Sequence, residues 1–222
     1  MKQILAIGGG SFASANSNLQ FEQFLLSRVS KGTKTKICFL PQASAEENHY
    51  IVKFFETFTA LGAEPSWISL FGRVTADWRE KLLDQDIIYV GGGNTKSMLA
   101  LWKEWGIDKT LKEAYEKGII LSGVSAGGIC WFEEGITDSV WPLGTIKALG
   151  FLPGSFCPHF DSEPERQNFY QEQVKIKNIS AGLALEDHTA AYFIDGKLVE
   201  LLKADPNKKA YYLSSEGKKE IF

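Results

Sequence analysis

The stretch "GIILSGVSAGGIC", residues 118–130, runs from strand-like apolar residues through Gly123-Val124-Ser125-Ala126-Gly127 into the start of a helix. That order decides the fold, because an apolar run ending at a glycine turn and resuming as a helix is the repeating unit of an α/β sheet. Working outward, "QILAI" (3–7), "KICFL" (36–40), "PSWISL" (65–70) and "DIIYV" (86–90) have the same character. They read as parallel strands covered on both faces. Between them Ile51, Phe54, Phe55 and Phe58 fall at helical spacing before a stop at Gly62. The alternation predicts an α/β fold: a doubly wound, mostly parallel sheet flanked by helices, in a single domain spanning 1–222. Beyond residue 133 the alternation weakens, and Trp141-Pro142-Leu143-Gly144 and Leu152-Pro153-Gly154 punctuate an irregular crossing before "SFCPHF". Near the end, "AAYFI" and "KLVELL" flank Asp195-Gly196, which predicts a C-terminal antiparallel hairpin.

Composition narrows the function. A net charge of -3, with lysines scattered along the chain, argues against nucleic acid. The apolar run after Met1-Lys2 is too short for a signal core or a membrane span, so a cytoplasmic location and no membrane partner are expected. Cys38, Cys130 and Cys157 form no C-x-x-C pair and read as small buried hydrophobes. With only His49, His159 and His188 present, and no metal-binding spacing among them, no metal or cofactor is expected.

In an open sheet of this kind ligands bind at the carboxyl ends of the strands, and three glycine turns fall there: Gly8-Gly9-Gly10, Gly91-Gly92-Gly93 and the turn at Ser125. A serine flanked by glycines two residues either side fits a sharp elbow, where strand and helix pass without Cβ clashes. The following helix would point backbone N–H groups and its positive end at an oxyanion formed beside Ser125. Such a serine needs a base, and the base an orienting acid. One order along the chain selects Ser125, Asp161 and His188; the other selects Ser125, His159 and Glu186. Spacing leaves both open. Cys157 and His159, two apart, would share a strand face and admit a Cys–His pair, whereas His49 suits a polar helix lead-in.

Four pieces, "YVGGGNTKSML" (89–99), "GVSAGGIC" (123–130), "CPHF" (157–160) and "LALEDHTAAYFIDGK" (183–197), together resemble the peptidase E-like serine peptidases. Their fold belongs with the class I glutamine amidotransferase-like proteins. The resemblance implies Ser125 as nucleophile, His159 as base and Glu186 as acid. It also implies an oxyanion hole from the N–H of Gly92 or Gly93 together with that of Ala126. It further implies a small peptide substrate, an N-terminal aspartate preference, and Arg166 as the cation that would meet the substrate carboxylate. Asp161, Glu163 and Glu165 beside Arg166 would disfavour an anionic substrate. A monomer or homodimer is expected. The rival readings are a flavodoxin-like module whose glycine turns hold a phosphate or nucleotide, and a related hydrolase such as a cyanophycinase-like enzyme or amidase.

Overall fold

Every residue of the first strand, β1 (Gln3–Ile7), is buried, and its side chains divide between two apolar layers: Ile4 and Ala6 on one face, Leu5 and Ile7 on the other. A strand covered on both faces has no use for polar alternation. The computed structural model describes residues 1–14, 17–30 and 32–222. After β1 the chain forms α1 (Gln20–Ser27), β2 (Lys36–Leu40), α2 (Asn48–Ala60), β3 (Glu64–Trp67), α3 (Trp78–Leu83) and β4 (Ile87–Val90). It continues through α4 (Thr95–Trp105), α5 (Ile107–Lys117), β5 (Ile120–Val124) and the single-turn α6 (Ala126–Ile129). The strands β1 to β5 run parallel.

The remaining chain makes β6 (Phe132–Thr137), β7 (Gly144–Lys147), β8 (Leu152–Cys157), α7 (Glu165–Lys175) and β9 (Gly182–Leu185). It closes with β10 (Thr189–Ile194), β11 (Lys197–Lys203), β12 (Ala210–Ser214) and β13 (Gly217–Glu220). The first sheet has the order β11-β10-β1-β5-β4-β2-β3. Its β10–β11 hairpin is the one expected around Asp195-Gly196, with positive φ of 49° and 79° at the two turn residues.

A second sheet, β13-β12-β9-β8-β6-β7, occupies the region read as irregular. Its middle strands β6, β8 and β9 are parallel and its outer pairings antiparallel. Pro153 lies inside β8, next to an irregularity where the pairing with β6 shifts register. A bulge tolerates the missing N–H that would interrupt a regular ladder.

Helix packing follows the apolar spacing. On α2, Phe54 and Phe58 are fully buried and join Phe12, Phe39 and Tyr89 in one aromatic cluster, Phe39 and Phe54 stacking at 4.4 Å. On the opposite face Met98 and Trp102 of α4 and Leu111 of α5 are equally buried. The second sheet meets the first where Phe132 packs edge-on against Phe193 of β10 at 5.7 Å. Helix α7 lays Tyr170 and Val174 on β9 and β12, against Ala184 and Leu213.

Candidate active site

The elbow is built by two glycines in close approach. A Cβ on Gly123 would lie 2.4 Å from the Gly127 carbonyl oxygen, and one on Gly127 would lie 2.2 Å from that of Val90. No other residue fits either position without moving the backbone. Squeezed between β4, β5 and α6, Ser125 takes φ 55° and ψ -112°, a strained conformation for a residue with a Cβ. It is half-buried, and its N–H donates to the Ile7 carbonyl at 3.0 Å, tying the elbow to the end of β1. Its own carbonyl accepts the N–H groups of Gly128 and Ile129. The turn at Gly91-Gly92-Gly93 lies alongside, a Cβ on Gly92 falling 3.4 Å from that of Ser125.

His159 reaches the same edge from the second sheet. It is not part of β8, which ends at Cys157; it follows Pro158 with φ 54°, and its ring lies against the first glycine turn. A Cβ on Gly9 would come within 2.8 Å of the imidazole Nδ1 and 1.9 Å of Asp187 Oδ1. Those two atoms are hydrogen-bonded to each other at 2.7 Å. A carboxylate on Nδ1 calls for the Nδ1–H tautomer, which leaves Nε2 as an acceptor.

The partner of His159 is therefore Asp187, not Glu186. Glu186 turns the other way: Oε2 accepts the Lys209 N–H at 2.8 Å and Oε1 the Tyr211 hydroxyl at 3.3 Å. Asp187 is itself anchored, its N–H donating to Asp161 Oδ1 at 2.8 Å, while Asp161 pairs through Oδ2 with Lys208. Burial pushes the Asp187 carboxyl up. The His159 bond, the imidazole charge and Ser162 outweigh this and hold it below the ordinary 3.8. Its contribution to stability is thus present above that value and lost as pH falls beneath it.

His188, the alternative base, lies against Gly10 one residue along the same turn; among the described residues no carboxylate hydrogen-bonds its ring. Asp161, its companion in that order, serves Asp187 and Lys208 instead. Cys157 is fully buried, its thiol pushed up to about 12 by desolvation, and among the described residues its sulfur bonds the Pro158 carbonyl and no histidine. Cys38 and Cys130 are buried and free as well. Native protein should accordingly resist iodoacetamide at pH 8 and keep its activity. Rapid alkylation, read by intact mass, would contradict this burial.

Arg166 is placed differently from expectation. It is only 2% exposed, with Nε on Glu163 Oε2 at 2.6 Å, Nη1 on the Ile136 carbonyl at 3.1 Å and Nη2 3.5 Å from Asp138. The guanidinium is thereby committed to joining the loop after β6 to the start of α7, and is not presented to a substrate. Arg166→Ala should cost about 3–5 kcal/mol of stability in urea unfolding, since it leaves buried acceptors and charges unpaired. A loss below 1 kcal/mol, read as ~1 by the same measurement, would show that those contacts are dispensable.

Among the oxyanion candidates, the Gly92 N–H is already engaged by the Tyr50 hydroxyl at 3.3 Å. Among the described residues, the N–H groups of Gly93 and Ala126 have no acceptor. No cluster of potential metal ligands occurs among the described residues, and no helix there is long and apolar enough to cross a membrane.

The profile of Peptidase family S51 matches residues 4–201. The chain belongs to peptidase family S51. Similarity to individual members agrees. The chain is 46% identical over 211 residues to the peptidase YgaJ of Bacillus subtilis, covering 95% of this chain and 91% of that one. It is 28% identical over 147 residues to Peptidase E of Salmonella arizonae, covering 64% and 62%. Two solved structures share the fold. A peptidase from an acI-B1 Actinobacterium superposes with a TM-score of 0.73 at 16% identity, over 100% of this chain and 94% of that one. A putative peptidase E protein of Listeria monocytogenes superposes with 0.68 at 21%, over 92% and 100%. This S51 member is a peptidase on an α/β scaffold, with its glycine turns gathered at one edge of the main sheet.

Of the site residues expected from sequence, the structure gathers Ser125, His159, Gly92, Gly93 and Ala126 around that edge, and turns Glu186 and Arg166 away from it. The structure adds two residues to this edge that the expected site did not include: Asp187, bonded to His159, and Tyr50, bonded to the Gly92 N–H. The adjacent Glu186-Asp187 pair flagged that an acid was there without saying which; nothing in the sequence marks Tyr50.

Proposed function

We propose that this S51 peptidase hydrolyses short peptides through an acyl-enzyme on Ser125, with His159 as base and Asp187 as the orienting acid. The observation that carries the reading is the 2.7 Å bond between His159 Nδ1 and Asp187 Oδ1, at the strand ends that also hold the Ser125 elbow. It orients the imidazole with Nε2 available as a proton acceptor.

Ser125 Oγ attacks the peptide carbonyl as His159 takes its proton. The N–H groups of Gly93 and Ala126 receive the oxyanion, and the positive end of the short α6 turn adds to the field. His159 then protonates the leaving amine, and water, activated by the same imidazole, releases the acyl group. Asp187 holds the tautomer and stabilises the imidazolium. With Arg166 committed to Glu163 and Asp138, a preference for N-terminal aspartate would have to draw on another cation.

The test is labelling with a fluorophosphonate, mapped by peptide mass spectrometry, alongside a panel of dipeptides and tripeptides that includes Asp-X sequences. Adduct on Ser125 and hydrolysis of at least one peptide class are expected. Labelling elsewhere, or stoichiometric nucleotide binding without labelling, would favour the binding-module reading instead.

A further inference from the structure

Tyr50 on α2 lies beneath the second glycine turn, and the proposed mechanism gives it no role. Its hydroxyl accepts the Gly92 N–H at 3.3 Å. Its ring stacks on Phe12 (5.3 Å, interplanar 23°) and meets Phe39 edge-on at 5.0 Å, so the phenol is fixed from two sides. The contact requires glycine at 91, where a Cβ would fall 2.9 Å from Tyr50 Cε1.

Phe12, on which the Tyr50 ring stacks, donates its own N–H to the fully buried Glu22 at 2.9 Å. Ser11 and Phe12 continue the turn whose Gly9 underlies His159 and Asp187. One phenol thus touches both the turn beneath the acid–base pair and the turn beside Ser125. Burial pushes the Tyr50 phenol up to about 12, which keeps it a neutral hydroxyl at working pH.

We propose that Tyr50 is a positioning residue: by holding the Gly92 N–H it fixes the Gly91-Gly92 peptide, and through the Gly92 α-carbon restrains the peptide that follows, so that the Gly93 N–H faces the oxyanion formed at Ser125. The inference rests on the serine-peptidase reading. Three consecutive glycines carry no side chains to hold their peptide planes, and Gly93 adopts φ 133°, a region open chiefly to glycine. An oxyanion donor is effective to the extent that it is already aimed, so an anchor on the preceding amide sets how much the Gly93 N–H contributes.

Tyr50→Phe removes the hydroxyl and keeps the stacked ring, so the packing against Phe12 and Phe39 survives. Phosphonylation of wild type and Tyr50→Phe is followed over a range of fluorophosphonate concentrations and pH. The limiting rate should fall about 10- to 100-fold, in the range of a weakened oxyanion donor. The half-saturating concentration should stay within about twofold, and the pH midpoint should not move because His159 is untouched. A lost fold would instead shift all three. Hydrogen exchange supplies a readout independent of the chemistry: peptides covering 89–98 should exchange faster in Tyr50→Phe. A limiting rate equal to wild type overturns the proposal. So does unchanged exchange at 89–98, even if wild type proved unreactive. Wild type that is not labelled at all, with exchange responding as expected, would sink the serine reading and leave the Tyr50 anchor standing as a feature of the turn.

Discussion

Ser125→Ala is expected to form no phosphonate adduct and to lower peptide hydrolysis by about 10⁴- to 10⁶-fold, the range seen when a serine nucleophile is removed from an intact site. The size of the effect follows from the division of labour. Without Oγ there is no acyl-enzyme, and the residual rate comes from whatever the oxyanion donors and substrate binding give to attack by water. The fold should survive, because the strain at Ser125 is imposed by Gly123, Gly127 and the Ile7 carbonyl, none of which is altered. Removing the hydroxyl cannot relieve a positive φ. Hydrolysis within tenfold of wild type, on the ~10⁴ scale at issue, would mean that the elbow is scaffolding and the nucleophile is elsewhere.

Asp187→Asn should lower kcat by about 10³- to 10⁴-fold, while Glu186→Gln should lower it by less than about tenfold. An asparagine amide can donate to Nδ1, which favours the opposite tautomer and puts the proton on the nitrogen that must accept from Ser125. The geometry is preserved and the chemistry is reversed. Glu186, by contrast, holds the Lys209 N–H and the Tyr211 hydroxyl, so its replacement weakens the joint between β9 and β12 by ~1 kcal/mol per bond. Circular dichroism and urea midpoints separate the two effects. If Glu186→Gln is the crippled variant and Asp187→Asn retains near wild-type turnover, the acid must be reassigned to Glu186.

The contrast between these neighbours shows where sequence reading stops. Strand β9 ends at Leu185, and the next residues form a turn in which His188 takes φ 62°. In a strand, successive side chains alternate reliably between faces; in a turn the direction of each depends on local dihedrals that no pattern encodes. The resemblance implied Glu186 as the acid, whereas the carboxylate hydrogen-bonded to His159 is that of the next residue, Asp187. Arg166, which the resemblance implied as a substrate cation, is buried against Glu163 three residues before it, a pairing that makes the burial of its charge tolerable.

The main sheet was legible because β1, β2, β4 and β5 are buried on both faces and therefore stand out as continuous apolar runs. The second sheet was not. Its β7 is a four-residue edge strand with alternating exposure, and β8 carries Pro153 and Gly154 inside its span. A bulge makes those residues compatible with pairing, and a bulge leaves a signature that resembles a loop. The serine elbow was legible from five residues because two of them, Gly123 and Gly127, are dictated by backbone contacts closer than any side chain permits.

The position of β1 carries a last consequence, for the order in which the protein can become active. Made first, β1 lies in the sheet between β5 and β10, and β10 spans residues 189–194 near the far end of the chain. The glycine turn at its end waits nearly as long for Asp187, which lies against it together with His159. Contacts of such long sequence separation form late and are closed only after the intervening loop entropy has been overcome. A chain still on the ribosome, or cut short before β10, already holds Ser125, His159 and Asp187 but lacks the strand that pairs with β1 and holds the Asp187 turn against Gly9. The edge where the glycine turns gather is thus completed only when synthesis is nearly finished, by the topology of the sheet.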